Sequence, residues 1–259
     1  MTAASGELLR LRGVSKRFGG IAALTGVSLG IDRGALVALI GPNGAGKSTV
    51  FNLITGLNRP DTGEIAFERR SLARCGPERV AARGIARTFQ NIRLFAFMTA
   101  LENVMAGEHV RLHATLIDGL LHTPRHRAEE RVARERAHAL LRLVGLERSA
   151  DVYARDLPYG FQRRLEIARA LATEPRLLLL DEPAAGMTAR EKAALQALIE
   201  RIRASGTTAI VIEHDMPFVM ALCERVVVLD HGELIADGTP AEVRANPRVV
   251  EAYLGPESA

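Results

Sequence analysis

Apolar runs and amphipathic helices alternate along most of this chain. Residues Ala35–Ile40, Arg176–Leu180 and Thr208–Ile212 are short and mainly apolar, as expected for parallel strands that are covered on both faces. A helix is predicted after the first strand, over Val50–Ile54, and another after the second strand, where Thr188–Glu191 forms a capping box. The alternation therefore predicts an α/β core with a parallel sheet and flanking helices.

Two segments depart from this alternation. Leu8–Val14, Val27–Ile31 and Gly63–Phe67 are short strands separated by glycines, and they predict a small antiparallel β subdomain outside the core. Residues Arg127–Val144 carry apolar positions three and four apart, which indicates an amphipathic helix. The stretch from about 92 to 168 is thus predicted to be an α-helical subdomain inserted into the core.

The C-terminal part returns to strands and ends in a helix. Arg225–Leu229 and Glu233–Ala236 flank Asp230-His231-Gly232 and predict a hairpin. A second capping box, Thr239–Glu242, has proline at the first helical position. We predict one domain over residues 1–259.

Composition limits the classes of function. The chain has 259 residues, is 47% hydrophobic and carries a net charge of +4. Its arginine-rich stretch Arg125–Arg142 is interspersed with Glu and His, so a solvated helix face is favoured over a nucleic-acid patch. Cys75 and Cys223 have no disulfide or metal spacing, which suits a reducing cytosol. No signal-peptide core or membrane-spanning apolar run is evident, so any membrane association is expected to be peripheral.

The candidate chemistry begins with a loop of the pattern G-x-x-x-x-G-K-[ST] between the first core strand and its helix. Its glycines let several backbone N–H groups point at one anion, and the helix adds its positive N-terminal end. Lys47 can reach the β and γ phosphates, and the Ser48 hydroxyl can ligate Mg²⁺. The predicted ATP-binding residues of the loop are Gly41, Pro42, Asn43, Gly44, Ala45, Gly46, Lys47, Ser48 and Thr49.

Two carboxylates end the second core strand, where a parallel sheet faces its ligand crevice. Asp181 is predicted to hold Mg²⁺ and Glu182 to orient or deprotonate the attacking water. His214 follows another strand of the sheet; it can bond a γ-phosphate, or it can be incidental beside a helix-capping Asp215.

Two further side chains are candidates with open alternatives. Gln90 can ligate Mg²⁺ or position water, although a surface glutamine is the ordinary alternative. Phe18 can stack on an adenine ring, or it can fill a local core.

The segment Leu157–Leu171 adds a family resemblance. Here the chain resembles the nucleotide-binding subunits of ATP-binding-cassette transporters, and the motifs follow the family's order: Phe18, the phosphate loop, Gln90, this signature, Asp181-Glu182 and His214. The resemblance implies a P-loop NTPase core. It also implies that two such domains pair head to tail around two ATP molecules, each held between one subunit's phosphate loop and the other's signature.

The chain is most similar to the ATP-binding subunits of branched-chain amino-acid importers. This resemblance rests on Arg87–Phe95, Tyr159-Gly160, Asp181–Met187, Ile212–Met216, the insertion His109–Pro124 and the ending Val250–Gly255. It implies ATP and Mg²⁺ as cofactors, and a location at the cytoplasmic face of the inner membrane. The implied partners are a second ATP-binding subunit, transmembrane permeases and an extracytoplasmic solute-binding protein, with no nucleic acid.

The same resemblance implies that a groove near Gln90 receives a short permease helix. The apolar stretch Leu94–Met98 can line such a groove, or it can belong to the core of the helical subdomain.

The signature departs from the family's usual Leu-Ser-Gly-Gly-Gln. Pro158 lacks an N–H and a hydroxyl, Phe161 replaces a polar side chain, and Thr188 stands where the wider family has Asp. We therefore hypothesise that the site this signature completes on the partner is weaker than the chain's own site. The residues predicted to face the partner's ATP are Leu157, Pro158, Tyr159, Gly160, Phe161 and Gln162.

Three alternatives stay open. The ATPase of a lipopolysaccharide export system has similar motifs, a soluble ABC-type ATPase could act on nucleic acid, and a binding-only or regulatory module could keep the fold. The intact Lys47, Ser48, Asp181 and Glu182 argue against the last of these.

Overall fold

The computed structural model of the protein describes residues 6–108 and 124–254, so nearly all of the predicted insertion His109–Pro124 lies outside the described residues. In chain order the described strands are β1 (Glu7–Phe18), β2 (Ile21–Asp32), β3 (Leu36–Ile40), β4 (Thr62–Phe67), β5 (Arg70–Ser71), β6 (Ile85–Arg87), β7 (Leu177–Asp181), β8 (Thr208–Ile212), β9 (Arg225–Asp230) and β10 (Glu233–Gly238). The described helices are α1 (Lys47–Ile54), α2 (Pro77–Ala82), α3 (Ala100–Glu108), α4 (Pro124–Leu143), α5 (Tyr159–Leu171), α6 (Ala189–Ala204), α7 (Met216–Leu222), α8 (Pro240–Ala245) and α9 (Pro247–Leu254).

The core is a six-stranded sheet in the order β10-β9-β3-β8-β7-β6. Every neighbouring pair from β9 to β6 is parallel, and β10 returns antiparallel to β9 with Glu233 opposite Asp230. The predicted parallel core and the predicted C-terminal hairpin are both confirmed. Strand β6, which has three residues and pairs with β7 at the sheet edge, was not predicted from the sequence.

Apolar side chains of β3 alternate between two hydrophobic clusters, one on each face of this sheet. Leu36, Ala38 and Ile40 belong to one cluster, whereas Val37 and Leu39 pack in the other with α1. A strand with both faces covered has no polar position, which explains the unbroken apolar runs in the sequence.

The second sheet is antiparallel, with the order β2-β1-β4-β5. Its first hairpin is longer than predicted, because β1 continues to Phe18 and β2 begins at Ile21, with Gly19 and Gly20 between them. Phe18 therefore ends a strand and does not lie in a loop.

The α-helices described between β6 and β7 are α3, α4 and α5. Ala133, Ala137 and Leu141 of α4 are buried, as the periodicity predicted, and Gly145 ends the helical segment with a φ of +72°. At Gly107 of α3 a Cβ would lie 2.4 Å from Arg169 O of α5, so these two helices pack at backbone distance. Among the described residues, no helix is long and apolar enough to cross a bilayer.

Both predicted capping boxes are present. Thr188 accepts from Glu191 N at the start of α6, and Thr239 accepts from Glu242 N at the start of α8. In each box the glutamate side chain accepts from the backbone N–H of the threonine, which satisfies free N–H groups at the helix start.

The box at Thr239 provides a test of local stability. Thr239→Ala removes the hydroxyl acceptor and is expected to lower the free energy of unfolding by about 1 kcal/mol, measured by denaturant titration of the full chain. Thr239→Ser keeps the acceptor and should remain close to the wild type. An alanine variant as stable as the serine variant would contradict the capping assignment.

Candidate functional site

The loop between β3 and α1 has a backbone that only glycine allows at two positions. Gly41 and Gly46 have φ values of +147° and +102°. A Cβ at Gly41 would lie 2.0 Å from Leu229 O, and one at Gly46 would lie 2.6 Å from Ala23 O. The loop is therefore curled between the core sheet and the β1–β2 hairpin. A loop curled in this way can present backbone N–H groups to an anion.

Lys47, the first residue of α1, lies over this loop. Its Nζ donates to Gly41 O at 2.6 Å and to Pro42 O at 2.9 Å. Burial lowers the pKa of Lys47, and the charges of Glu182 and Asp181 oppose this shift. The structure therefore places Lys47 close enough to Glu182 and Asp181 for their negative charges to act on its ammonium group.

Asp181 ends β7 and pairs with Arg87, for which no role was predicted from the sequence. Arg87 Nη2 lies 2.8 Å from Asp181 Oδ2, and both side chains are nearly buried. The guanidinium also donates to Asn52 Oδ1 and lies between the rings of Phe51 and Phe89. Arg87 thus balances the charge of Asp181 and ties the end of β6 to α1.

Glu182 lies at the meeting point of two other predicted residues. Gln90 Nε2 donates to Glu182 Oε2 at 3.0 Å, and His214 Nδ1 lies 4.0 Å from the same oxygen. Glu182 has a φ of +46°, a strained conformation for a residue with a side chain. Its N–H donates to Ile212 O, so β8 holds it in this position.

The Asp215 cap is present and is compatible with a functional role of His214. Asp215 caps α7 by accepting from Phe218 N at 3.0 Å, which is the predicted alternative. His214 itself is 65% exposed and faces Glu182. Both residues can therefore fill the roles that the sequence suggested.

Glu213 is a buried carboxylate for which no role was predicted from the sequence. It accepts from Ala184 N at 2.7 Å and from His214 N at 3.2 Å. Burial raises the pKa of Glu213, although these N–H groups and His214 oppose the shift. Glu213 thereby holds the backbone that follows Glu182. Its position next to the candidate histidine was the only feature of the sequence that could have pointed to it.

The remaining predicted nucleotide contacts lie on the surface. The ring of Phe18 is 46% exposed at the end of the β1–β2 hairpin, with Lys16 Nζ 5.4 Å from its centroid. Ser48 is exposed in the first turn of α1. An exposed ring and an exposed hydroxyl at these places favour ligand contact over the alternative in which Phe18 fills a core.

The signature residues form the start of α5. Pro158 precedes the helix, Gln162 Nε2 donates to Leu157 O, and Phe161 packs half-buried beneath the guanidinium of Arg164. Within the described part of the chain, no hydrogen bond or ion pair joins these residues to the Gly41–Thr49 loop.

Comparison with known proteins agrees with this geometry. The profile of the ABC transporter family matches residues 24–185, more than half of the chain. The chain belongs to the ABC transporter family. A second profile, that of the branched-chain amino acid ATP-binding cassette transporter, matches residues 233–255.

Relatives within the ABC transporter family match along nearly the whole chain. The high-affinity branched-chain amino acid transport ATP-binding protein BraF of Pseudomonas aeruginosa is 45% identical, over 97% of this chain and 99% of that protein. The corresponding protein LivG of Escherichia coli K12 is 44% identical with the same coverage. The predicted resemblance to this branch is confirmed.

Solved structures confirm the fold. An ATP-binding cassette of an ABC transporter in its ADP conformation has a TM-score of 0.84 and 33% identity, and covers 97% of this chain and 100% of that chain. A dimeric post-hydrolysis cassette bound to ADP and Pi has a TM-score of 0.76 and 28% identity, with 90% and 99% covered. The chain is an ABC-type ATPase with the predicted P-loop NTPase fold.

The loop geometry predicts a severe effect of one methyl group. Gly46→Ala places a Cβ against Ala23 O in a backbone region that L side chains rarely adopt, so the loop must open. We expect at least a tenfold loss of nucleotide affinity, the effect of about 1.4 kcal/mol, measured with a fluorescent ATP analogue on folded protein.

Gly20→Ala is the matched control, because a Cβ there meets nothing within 4 Å. Its affinity should equal that of the wild type. If Gly46→Ala also binds normally while remaining folded, the loop is not the nucleotide site.

Proposed function

We propose that this chain is the ATP-hydrolysing subunit of an ABC importer for branched-chain amino acids. The catalytic part of this proposal rests on one observation: Gln90 and His214 converge on Glu182, beside Lys47. The relatives' printed names and the match at residues 233–255 support the solute class.

In this proposal the Gly41–Thr49 loop binds the phosphates of ATP. Its backbone N–H groups and Lys47 supply positive potential, and the exposed ring of Phe18 supports the base by stacking. The glycines at 41 and 46 are required, because any Cβ there would displace the backbone that forms the cradle.

Mg²⁺ fits the oxygen-bearing side chains at this edge. Ser48, Gln90 and Asp181 offer a hydroxyl, an amide and a carboxylate, which are ligands that Mg²⁺ accepts together with phosphate oxygens and water. When bound, the ion would neutralise charge on the phosphates. In the described residues, no cluster of three His, Cys, Asp or Glu side chains could hold a metal alone. This is consistent with an ion that also requires the nucleotide.

Glu182 is the proposed general base, and Gln90 and His214 position it and the γ-phosphate. Phosphoryl transfer requires mainly alignment and charge compensation, so small shifts of these groups change the rate. The hydrogen bond from Gln90 holds one Glu182 oxygen, while His214 presents an exposed imidazole beside it.

A second ATP-binding subunit completes each site in this proposal. Dimerisation of a related cassette supports this arrangement. At the start of α5, Phe161 N and Gln162 N both donate to Pro158 O, which leaves the N–H groups of Tyr159 and Gly160 to face a partner's ATP. Phe161 is half-buried and Thr188 caps α6, so neither offers the polar contact usual in the family.

The permease partner is assigned to an apolar groove between the core and the helical subdomain. A cavity of about 420 Å³ is lined by residues of α2, β6, α3 and α5, together with Phe89 and Phe95. Leu94 packs against the core while Phe95 lines the groove, which supports both interpretations of the Leu94–Met98 stretch. A permease docked here would place the chain at the cytoplasmic membrane face, and an extracytoplasmic solute-binding protein would act through that permease.

Reconstitution of the complex in proteoliposomes tests the proposed function. Leucine-loaded binding protein should stimulate ATP turnover, and Glu182→Gln should lower that turnover by ~10²–10⁴-fold because the general base is lost. Glu233→Gln, at an exposed carboxylate on β10, is the control and should retain full turnover. Stimulation by lipopolysaccharide or nucleic acid in place of the amino acid would contradict the assignment.

The same complex tests the inequality of its two sites. The altered signature residues Pro158 and Phe161 act on the partner's ATP, so Glu182→Gln in this chain should reduce turnover more than the equivalent change in the partner. Loss of one donor contact typically changes a rate by ~10²–10³-fold, so the difference is measurable. A greater loss from the partner's change would refute the inequality.

A further inference from the structure

Arg163 is a buried cation that joins α5 to the Gln90 segment. Only 3% of its side chain is exposed. Its Nη1 donates to Phe89 O at 2.7 Å, and its Nη2 donates to Gln90 O. A buried guanidinium needs acceptors for its N–H groups, and these two carbonyls belong to the consecutive peptide groups that flank the Gln90 Cα.

Glu166 lies one turn further along α5 and binds the same segment from its donor side. Its Oε1 accepts from Phe89 N and from Arg93 N, each at 3.3 Å. Its side chain is 2% exposed, and burial raises its pKa against the opposing effects of these N–H groups and Arg163. One helix therefore satisfies both donors and acceptors of the segment Phe89–Arg93.

Tyr159 extends this contact into the signature. Its hydroxyl accepts from Arg163 Nη2 at 3.0 Å and from Nε at 3.2 Å. Its ring lies against Gly186, where a Cβ would be 3.4 Å from the ring Cε1. The glycine that the wider family has at this position offers no hydroxyl and no ring, so this connection comes from the phenol of this sequence.

We propose that Tyr159 and Arg163 are positioning residues that couple the signature of this chain to its own Gln90 and Glu182. Gln90 Nε2 donates to Glu182 Oε2 at 3.0 Å. A hydrogen-bonded path thus runs from Tyr159 through Arg163 and the Gln90 main chain to the Gln90 amide and Glu182. The inference rests on the proposed function for one point, that the signature faces a partner's ATP.

The energetics favour movement of these parts as a unit. Separating α5 from the Gln90 segment would remove both carbonyl acceptors of Arg163, and the partners that remain, Tyr159 and Glu166, lie on α5 itself. Loss of hydrogen bonds to a buried charged group is costly. A shift of the signature on the partner's ATP therefore shifts Gln90 against Glu182. In this way Tyr159, which touches neither the phosphate loop nor Glu182 of its own chain, would control ATP turnover at the site of that chain.

Tyr159→Phe tests the coupling, because it removes the hydroxyl acceptor and keeps the ring against Gly186. Tyr153→Phe is the matched control: Tyr153 is 47% exposed against 46% for Tyr159. Its hydroxyl makes no hydrogen bond within the described residues. Hydrogen exchange of the full chain should show the Phe89–Arg93 amides exchanging about tenfold faster in Tyr159→Phe, as expected from the loss of a bond to a charged group, and unchanged in Tyr153→Phe.

ATP turnover of the assembled complex provides the second measurement. Tyr159→Phe should lower kcat about tenfold while KM for ATP changes less than about twofold, because alignment and not nucleotide binding is lost. Arg163→Lys keeps the charge but cannot bind both carbonyls and the hydroxyl, and should reproduce the faster exchange.

Two results would overturn the coupling. One is Tyr159→Phe exchange equal to that of Tyr153→Phe. The other is faster exchange with an unchanged kcat, which would make the contact merely structural. Exchange of the full chain does not depend on a transported solute, so failure of the proposed function would appear separately, as absence of solute stimulation in the wild type.

Discussion

The close approach of two sheets around the phosphate loop is the constraint on which the site depends. Gly41 lies against the backbone of β9 and Gly46 against that of β2, both at distances that exclude a Cβ. The curl of the loop is thus fixed by contacts from both sides and is not a property of the loop alone. It also sets the start of α1, and with it the position of Lys47 above the loop carbonyls.

The parallel register then brings the other groups to the same edge. Arg87 ends β6, Asp181 ends β7 and Glu213 follows β8, so charged side chains from three neighbouring strands meet there. Their burial requires compensation, which Arg87 gives to Asp181 and backbone N–H groups give to Glu213. Glu182 is held in a strained conformation at the same edge.

Much of this arrangement could be predicted from the sequence, because its signals are local. The apolar run of β3, the loop pattern and the capping boxes at Thr188 and Thr239 each depend on a few adjacent residues. The pairings of Arg87 with Asp181 and of Arg163 with Gln90 are contacts between residues 94 and 73 positions apart. No local pattern reports such contacts, and the strand β6 that places Arg87 is too short to show a period.

The altered signature has a consistent physical interpretation. Pro158 and Phe161 remove polar groups from the surface proposed to face a partner, while Tyr159 connects that surface to Arg163 and the Gln90 segment. In the proposed pairing the chain keeps the Gln90–Glu182 contact of its own site and presents fewer polar groups to a partner. The proposed asymmetric pairing follows from Pro158 and Phe161, and the proposed coupling follows from Tyr159 in the same segment.

The most direct test of the account is a structure of the assembled complex carrying Glu182→Gln, determined with ATP and Mg²⁺. The account predicts that the γ-phosphate lies in the Gly41–Thr49 loop beside Lys47, with the ion between Ser48 and Asp181 and the partner's signature across the nucleotide. ATP bound away from the loop, or a loop site closed without the partner's signature, would contradict it.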